Sequence, residues 1–326
     1  MQLVSYQDMQ IALGSQCSLV LVGDFSQQSA DSIFAALWLY IYKFEQRFSR
    51  FLEKSELSLI NRNSGKPHYA SKQMIQLCMR SLDLSRQTEG LHNPFILPAL
   101  IKTGYAHNSL IMHRDDSLPE YHGTRIAQPT ELHVSPSESI VTIPSDASLD
   151  FGGIGKGYLA DVLADEPAIQ KLKGYWFSIG GDIAGAGTDE SGNPWRVRIQ
   201  NAHQKEQTLT FEIHQQDSFH IATSGTIEKT GLKNGKPWHH IIDPQTGQTA
   251  DSDTLLATVS AHSTAEADVL ATSAIILSSK KALPFLRRHG ALSALLQLRD
   301  RSIMGFGNIY DQYIASRLEP TRSVSQ

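Results

Sequence analysis

Cysteine is nearly missing from this chain: Cys17 and Cys78 are the only two in 326 residues, too few for a disulfide framework or a thiolate metal site. Both read as small buried hydrophobes, and Cys17 sits inside a strand-like run rather than at a lipoprotein cleavage site. Long apolar runs are missing as well. No stretch approaches the roughly 18 residues of a membrane span, and Met1 to Asp24 lacks a basic segment followed by an apolar one, so the chain reads as cytoplasmic. Charge of one sign is not in excess either. Lys and Arg number 29 against 33 Asp and Glu, giving a formal net charge of −4 and a pI near 6.3, which argues against a nucleic-acid groove or an anionic membrane surface as partner. Repeats and low-complexity tracts are lacking. The composition is that of an ordinary globular protein, 40% hydrophobic and 19% charged, able to bury a full core.

Periodicity places a first strand at Cys17 to Val22 and a helix over Asp31 to Phe48, with Ile33, Phe34, Leu37, Ile41, Phe44 and Phe48 on one side. A second helix is expected over Lys72 to Arg86, ending before Gly90 and Pro94. From Ala106 to Glu138 the chain is rich in His, Pro, Asp and Ser and reads as a surface loop or hairpin excursion. Its histidines, His107, His113, His122 and His133, lack zinc-ligand spacing. The second half turns strand-rich, at Gly174 to Ile179, Trp195 to Gln200, Thr208 to Ile213, Phe219 to Thr223 and Leu255 to Ala261. This order favours a single α+β domain over residues 1–326 with largely antiparallel sheets, followed by a flexible tail at 319–326.

Five segments concentrate glycine, acid, hydroxyl and histidine. In Asp150-Phe-Gly-Gly-Ile-Gly-Lys-Gly-Tyr158 the glycines allow close backbone approach to a ligand and Lys156 offers a charge for phosphate. A Walker A loop is excluded because Gly157 follows the lysine; a tight turn entering a helix is the plainer alternative. Ser178-Ile-Gly-Gly-Asp-Ile183 ends in an acid suited to ribose or adenine, yet Gly180, Gly181, Gly185 and Gly187 do not make a dinucleotide fingerprint, and a hairpin turn would use the same residues. Ala222-Thr-Ser-Gly225 precedes His239-His-Ile-Ile-Asp-Pro-Gln-Thr-Gly247, where His240 is suited to proton transfer and Asp243 and Thr246 either serve a site or cap a turn. Last, Ser263-Thr-Ala-Glu266 is a capping box that starts a helix through Ile276. That helix sets Asp268 and Thr272 on one face, a carboxylate and a hydroxyl suited to magnesium or to a local hydrogen bond.

In this order the segments resemble the ApbE family of FAD:protein FMN transferases. The likeness runs from about Leu13 to about Ile276 and includes Arg47-Phe-Ser-Arg-Phe51 with Ser55-Glu-Leu-Ser-Leu-Ile-Asn61 and Ala267-Asp-Val-Leu-Ala-Thr272. The resemblance implies a tunnelling-fold-like α+β architecture of two related lobes, with FAD as substrate, Mg2+ at its pyrophosphate and an acceptor flavoprotein bearing a Thr or Ser hydroxyl. It implies magnesium ligation by Asp268 and Thr272, with Gly155 and Ala271 through their main chains. It places Gly14, Ser49, Asn93, Gly152, Lys156, Tyr158, Gly181, Asp182, Ser224, Gly225, Ile242 and Thr246 around FAD. His240 and Asp243 are the candidates for taking the acceptor proton, His240 being favoured by an ordinary pKa near working pH. Two departures from the family pattern stand out: Leu13-Gly-Ser15 for Met-Gly-Thr, and His92-Asn-Pro-Phe95 for Phe-Asp-Pro-Thr. A magnesium-dependent FAD pyrophosphatase and a non-enzymatic FAD-binding protein are the competing readings.

Overall fold

Strand-forming runs separated by helical stretches assemble into one eight-stranded sheet in the computed structural model, which describes residues 3–105, 123–204, 206–213, 218–233 and 235–318. We number its strands in chain order: β1 (Val4–Ala12), β2 (Ser15–Gly23), β3 (Gly174–Ile179), β4 (Asp182–Gly187), β5 (Phe219–Gly225), β6 (Thr254–Ala261), β7 (Ser293–Leu298) and β8 (Ile303–Phe306). Spatial order follows chain order, and every neighbouring pair is antiparallel. Each half of the chain therefore supplies an antiparallel pair, a helical segment and a second antiparallel pair, an α+β architecture of two related lobes.

The helices α1 (Gln27–Phe48), α2 (Glu56–Arg62), α3 (Lys72–Gln87), α4 (Leu97–Thr103) and α5 (Gly155–Ala164) lie between β2 and β3; α6 (Thr264–Arg288) joins β6 to β7, and α7 (Gly307–Leu318) follows β8. Helix α1 buries Phe34, Leu37, Ile41, Phe44 and Phe48, five of the six positions its sequence spacing predicts; Ile33, the sixth, is half-buried against the same core. Ser26 caps it by accepting the Ser29 N–H at 3.3 Å, and Trp38 on its inner side donates to Asp8 of β1 at 2.8 Å. Helices α1, α5 and α6 pack along one face of the sheet. Its other face is covered by the hairpin Trp195–Gln200 with Thr208–Ile213, whose Val197, Ile199, Phe211 and Ile213 meet Ile183, Phe219, Ile221 and Leu295. Both cysteines are fully buried.

The two helices that frame the site are locked at one crossing. A Cβ on Gly157 of α5 would stand 2.5 Å from the Thr264 carbonyl oxygen, so only glycine lets α5 approach the start of α6. Beside it, Asp161 of α5 accepts the Thr264 and Ala265 N–H groups at 2.7 and 2.9 Å, satisfying two open donors of the α6 terminus. Ser263 caps the Glu266 N–H at 3.2 Å, while the Glu266 carboxylate reaches the His262 N–H rather than that of Ser263. Replacing Asp161 by Ala is expected to lower unfolding stability by about 1–3 kcal/mol, read as a shift in denaturant midpoint; an unchanged midpoint would show that water replaces the carboxylate.

Several elements differ from the sequence expectation. Helix α6 extends to Arg288 in two segments, broken at Ser278, whose φ of 57° is left-handed; Asp253 accepts the Ser279 N–H at 2.8 Å and restarts it. Among the described residues α6 is the one helix long and apolar enough to cross a membrane, and its apolar side chains fill the core of the second lobe. Strand β1 and helix α2 carry no clear pattern in the sequence: β1 is an edge strand with much of its surface exposed, and α2 has seven residues, too few to show a period. Of the expected excursion over 106–138, residues 106–122, with His107, His113 and His122, lie outside the described residues. Residues 123–138 include a 3-10 turn at Pro129–Glu131 and a strand at His133–Ser135 that pairs with Ile140–Thr142. The tail 319–326 is also outside the described residues.

Candidate active site

A cavity of about 450 Å³ opens between the α5 terminus, the α6 face and the turn after β5, within the roughly 300–1,000 Å³ of ligand pockets. Its floor begins at α5. Ile154 occupies the N-cap and offers no side-chain cap; the Gly155 N–H is spent on the Phe151 carbonyl at 2.7 Å, so what this terminus presents to a ligand is the positive end of its helix dipole, which favours anions. Gly152, Gly153, Gly155 and Lys156 line the wall there. Lys156 donates to Asp182 at 2.9 Å. Burial works against the Lys156 ammonium, but Asp182 and Asp268 beside it more than offset this, and its pKa stays above the ordinary lysine value. The β3–β4 turn makes room for this side chain: Gly180 has a φ of +62°, and a Cβ on it would lie 2.9 Å from both Lys156 Cδ and Ser15 Cβ.

One helical turn separates Asp268 from Thr272 on α6, and both side chains line the cavity. Thr272 shares a hydrogen bond with Ser224 of β5 at 2.8 Å. Asp268 is 4% exposed, and its Oδ2 is buried without a hydrogen-bond partner among the described residues. Burial and the neighbouring Asp182 push its pKa upward, against the pull of Lys156. A buried carboxylate oxygen left without a partner is costly, and a cation at that oxygen would relieve it. Among the described residues no group of three or more His, Cys, Asp or Glu gathers as a metal cluster. A hard cation here would rely on one carboxylate, hydroxyls and main-chain oxygens, the kind of set magnesium accepts beside phosphate.

The opposite wall is aromatic and cationic. Arg50, 4% exposed, pairs with Asp150 at 2.8 Å, lies 4.1 Å from the Phe51 ring centroid and donates to the Tyr105 carbonyl at 2.9 Å. Asp150 in turn accepts the Gly152 N–H at 2.7 Å, so this pair pins the glycine loop at the cavity floor. Asn93 spends its amide on the Ala127 carbonyl and the Phe95 N–H, each at 2.9 Å. His92 meets Ser81 at 2.8 Å, and burial lowers its pKa to about 4. His240 is 5.8 Å from the Tyr105 ring, its Nδ1 is buried with no partner among the described residues, and burial with Lys229 and Lys156 lowers its pKa to about 3. Lys229, at the mouth, is lowered to about 8 by crowding against the wall and by Lys156.

A sequence model of the ApbE family matches residues 13–296. The chain belongs to the ApbE family. Named relatives include the FAD:protein FMN transferase of Treponema pallidum (strain Nichols), 24% identical, covering 94% of this chain and 88% of that one. The protein of the same name from Escherichia coli (strain K12) is 27% identical over 77% of this chain and 70% of its own. Among solved structures, the Pseudomonas stutzeri flavinyl transferase ApbE in its apo form superposes with a TM-score of 0.79 at 19% identity, covering 96% of this chain and 97% of that one. The ApbE protein of Thermotoga maritima gives 0.79 at 20% identity, covering 95% and 99%.

Within the ApbE fold, twelve of the residues singled out in the sequence converge on the cavity lining: Ser49, Asn93, Gly152, Gly155, Lys156, Gly181, Ser224, Gly225, His240, Ile242, Asp268 and Thr272. Six others stand off it. Gly14 forms the β1–β2 turn between the lining residues Leu13 and Ser15. Asp182 is 1% exposed, with its carboxylate turned to Lys156 rather than open to a ribose. Ala271 is fully buried within α6. Tyr158 packs 6.4 Å from Phe44 behind the floor, and burial lifts its pKa to about 12. Asp243 accepts the Gln245 N–H at 2.8 Å and the Thr246 hydroxyl at 3.2 Å, so both residues serve the turn at Pro244. The cavity also recruits Arg50, Asp150, Tyr105 and Lys229, which sequence inspection passed over as site residues. Arg50 belongs to the Arg47-Phe-Ser-Arg-Phe51 run and Asp150 opens the glycine-rich segment, whereas an isolated tyrosine and an isolated lysine carry no spacing signal.

Proposed function

We propose that this ApbE-family chain transfers FMN from FAD to a threonine or serine hydroxyl of an acceptor flavoprotein, with magnesium at the pyrophosphate and AMP as the product released. The observation that carries the reading is the buried Asp268 oxygen without a partner among the described residues, on a side chain that lines the same cavity as Lys156 and the N-terminus of α5. Asp268 and Thr272 would hold the magnesium ion, with main-chain oxygens of Gly155 and Ala271. When bound, the metal supplies polarisation of the pyrophosphate oxygens.

The protein's own groups then have distinct tasks. Lys156, oriented by Asp182, offers its ammonium to phosphate oxygen, and the positive end of the α5 dipole adds to it. The aromatic wall of Phe44, Phe48 and Phe51 offers apolar surface to the flavin ring and excludes water from the reacting phosphorus. In the transfer step the acceptor hydroxyl oxygen bonds to the FMN phosphorus as the bond from that phosphorus to the bridging oxygen breaks. AMP leaves with the bridging oxygen, and the hydroxyl proton passes to the His240 imidazole. His240 suits this role better than Asp243, because His240 lines the cavity and Asp243 is bound into its turn. Holding the reactants in line supplies much of the rate.

The test is incubation with FAD, magnesium and a cell extract, followed by a denaturing gel viewed for flavin fluorescence and an assay for AMP. A fluorescent band that requires magnesium and appears with AMP supports transfer. AMP with free FMN and no band would assign the site to hydrolysis; neither product would leave FAD binding alone.

A further inference from the structure

We propose that Lys229 is a second phosphate-contacting cation of this cavity, facing Lys156 and engaging the pyrophosphate of the substrate; the inference rests on the flavin-transfer reading above. Lys229 follows the Ser224-Gly225 end of β5 and lines the cavity mouth. Its backbone is fixed there: the Lys229 carbonyl accepts the His240 N–H at 3.1 Å, and the next residue, Thr230, pairs with His239 in a short hairpin. The ammonium stands 5.9 Å from the Tyr105 ring centroid, close enough to Lys156, Asp182, Asp150 and Asp268 to interact with each through its charge.

Those carboxylates are already committed. Asp182 is paired with Lys156 at 2.9 Å and Asp150 with Arg50 at 2.8 Å, and Lys229 makes no ion pair or side-chain hydrogen bond among the described residues. Two ammonium groups thus share one cavity in which, among the described residues, Asp268 is the carboxylate with a buried oxygen left unpartnered, one that suits a metal. Their mutual repulsion adds nothing to folding. It becomes favourable once a dianion enters between them, because a charge-assisted contact in a partly desolvated cavity is stronger than its aqueous counterpart. The charge balance agrees. Arg50, Lys156 and Lys229 offset Asp150 and Asp268 of the lining and Asp182 behind it, and Glu228 offsets Arg198. A bound divalent cation would leave two positive charges, the complement of a pyrophosphate diester; without Lys229 one would remain.

The test compares wild type, Lys229→Gln and Lys229→Arg for equilibrium binding of FAD and of riboflavin, which lacks phosphate, by flavin fluorescence in magnesium buffer, with thermal unfolding alongside. For Lys229→Gln the FAD dissociation constant should rise about 10- to 100-fold, with riboflavin affinity and unfolding temperature unchanged. Lys229→Arg should stay within about threefold of wild type, since it keeps the charge. Unchanged FAD affinity in Lys229→Gln would overturn the inference, and so would an equal loss for riboflavin, which would make Lys229 part of the cavity wall. If wild type itself binds FAD no better than riboflavin, the flavin-transfer reading fails and the inference with it.

Discussion

Replacing Asp268 with Asn is expected to reduce flavin transfer at least about 100-fold at any magnesium concentration, with no loss of folding stability. The rate effect follows from what the position offers. Asp268 carries the one cavity-lining carboxylate whose oxygen is both buried and free of hydrogen bonds among the described residues, and metal polarisation of a phosphoryl oxygen is worth several kcal/mol, at about 1.4 kcal/mol per tenfold in rate. The stability effect follows from the same burial. The charged form is held against desolvation and against Asp182, so a neutral amide of the same shape removes an unfavourable charge rather than a favourable contact. Activity and stability therefore move apart, which a misfolded variant would not show. Turnover across a magnesium titration and a thermal melt decide the matter: an Asp268→Asn variant with wild-type turnover and wild-type magnesium dependence would remove Asp268 from the proposed metal site. Thr272→Val should have a smaller effect, because Ser224 already shares its hydroxyl and a main-chain oxygen or water can fill that position.

The frame of this fold was readable wherever a long element buries a continuous face. Helices α1 and α3 have strong periods because one side of each is in the core, and strands β3, β5 and β6 stand out by their β-branched and apolar residues because the sheet buries much of their length. Edge strand β1 and the short α2 lack that contrast, and both are set by neighbours rather than by pattern: β1 pairs with β2 along its whole length. Within the site, glycine-rich and helix-borne residues were legible because their spacing is itself the geometry. Gly157 must be small for α5 to meet Thr264, and Asp268 and Thr272 are one turn apart on any helix. Other roles depended on side-chain direction, which spacing does not specify. Asp182 and Asp243 are both acids beside turns, yet one is buried against Lys156 and the other hydrogen-bonded to Gln245 and Thr246. Tyr105 and Lys229 reach the cavity from segments far apart in the chain, and only the tertiary fold brings the ammonium within 5.9 Å of the ring.

The pH dependence of His240 is where the structure changes the chemistry most. A histidine with an ordinary pKa would impose an acid limb near pH 6.5 on kcat/KM, because only the neutral ring accepts a proton. Here burial acts first, with Lys229 and Lys156 adding to it, and the pKa falls to about 3. The sign is fixed by the charged form: a buried imidazolium facing two ammonium groups is disfavoured, so protonation is deferred to lower pH. His240 should therefore be neutral throughout the range in which the protein is folded, and kcat/KM for FAD with saturating acceptor should show no histidine limb between about pH 5 and 8. A base held this far below neutrality is a weak one, so in the proposed mechanism its contribution would lie in placing an unprotonated ring nitrogen at the acceptor hydroxyl rather than in basicity. Replacing His240 with Gln should then lower kcat about 100-fold while changing KM for FAD little. An acid limb near pH 6.5 in wild type that disappears in the Gln variant would restore an ordinary pKa and refute this account, and wild-type kcat in the variant would remove His240 from the proton transfer.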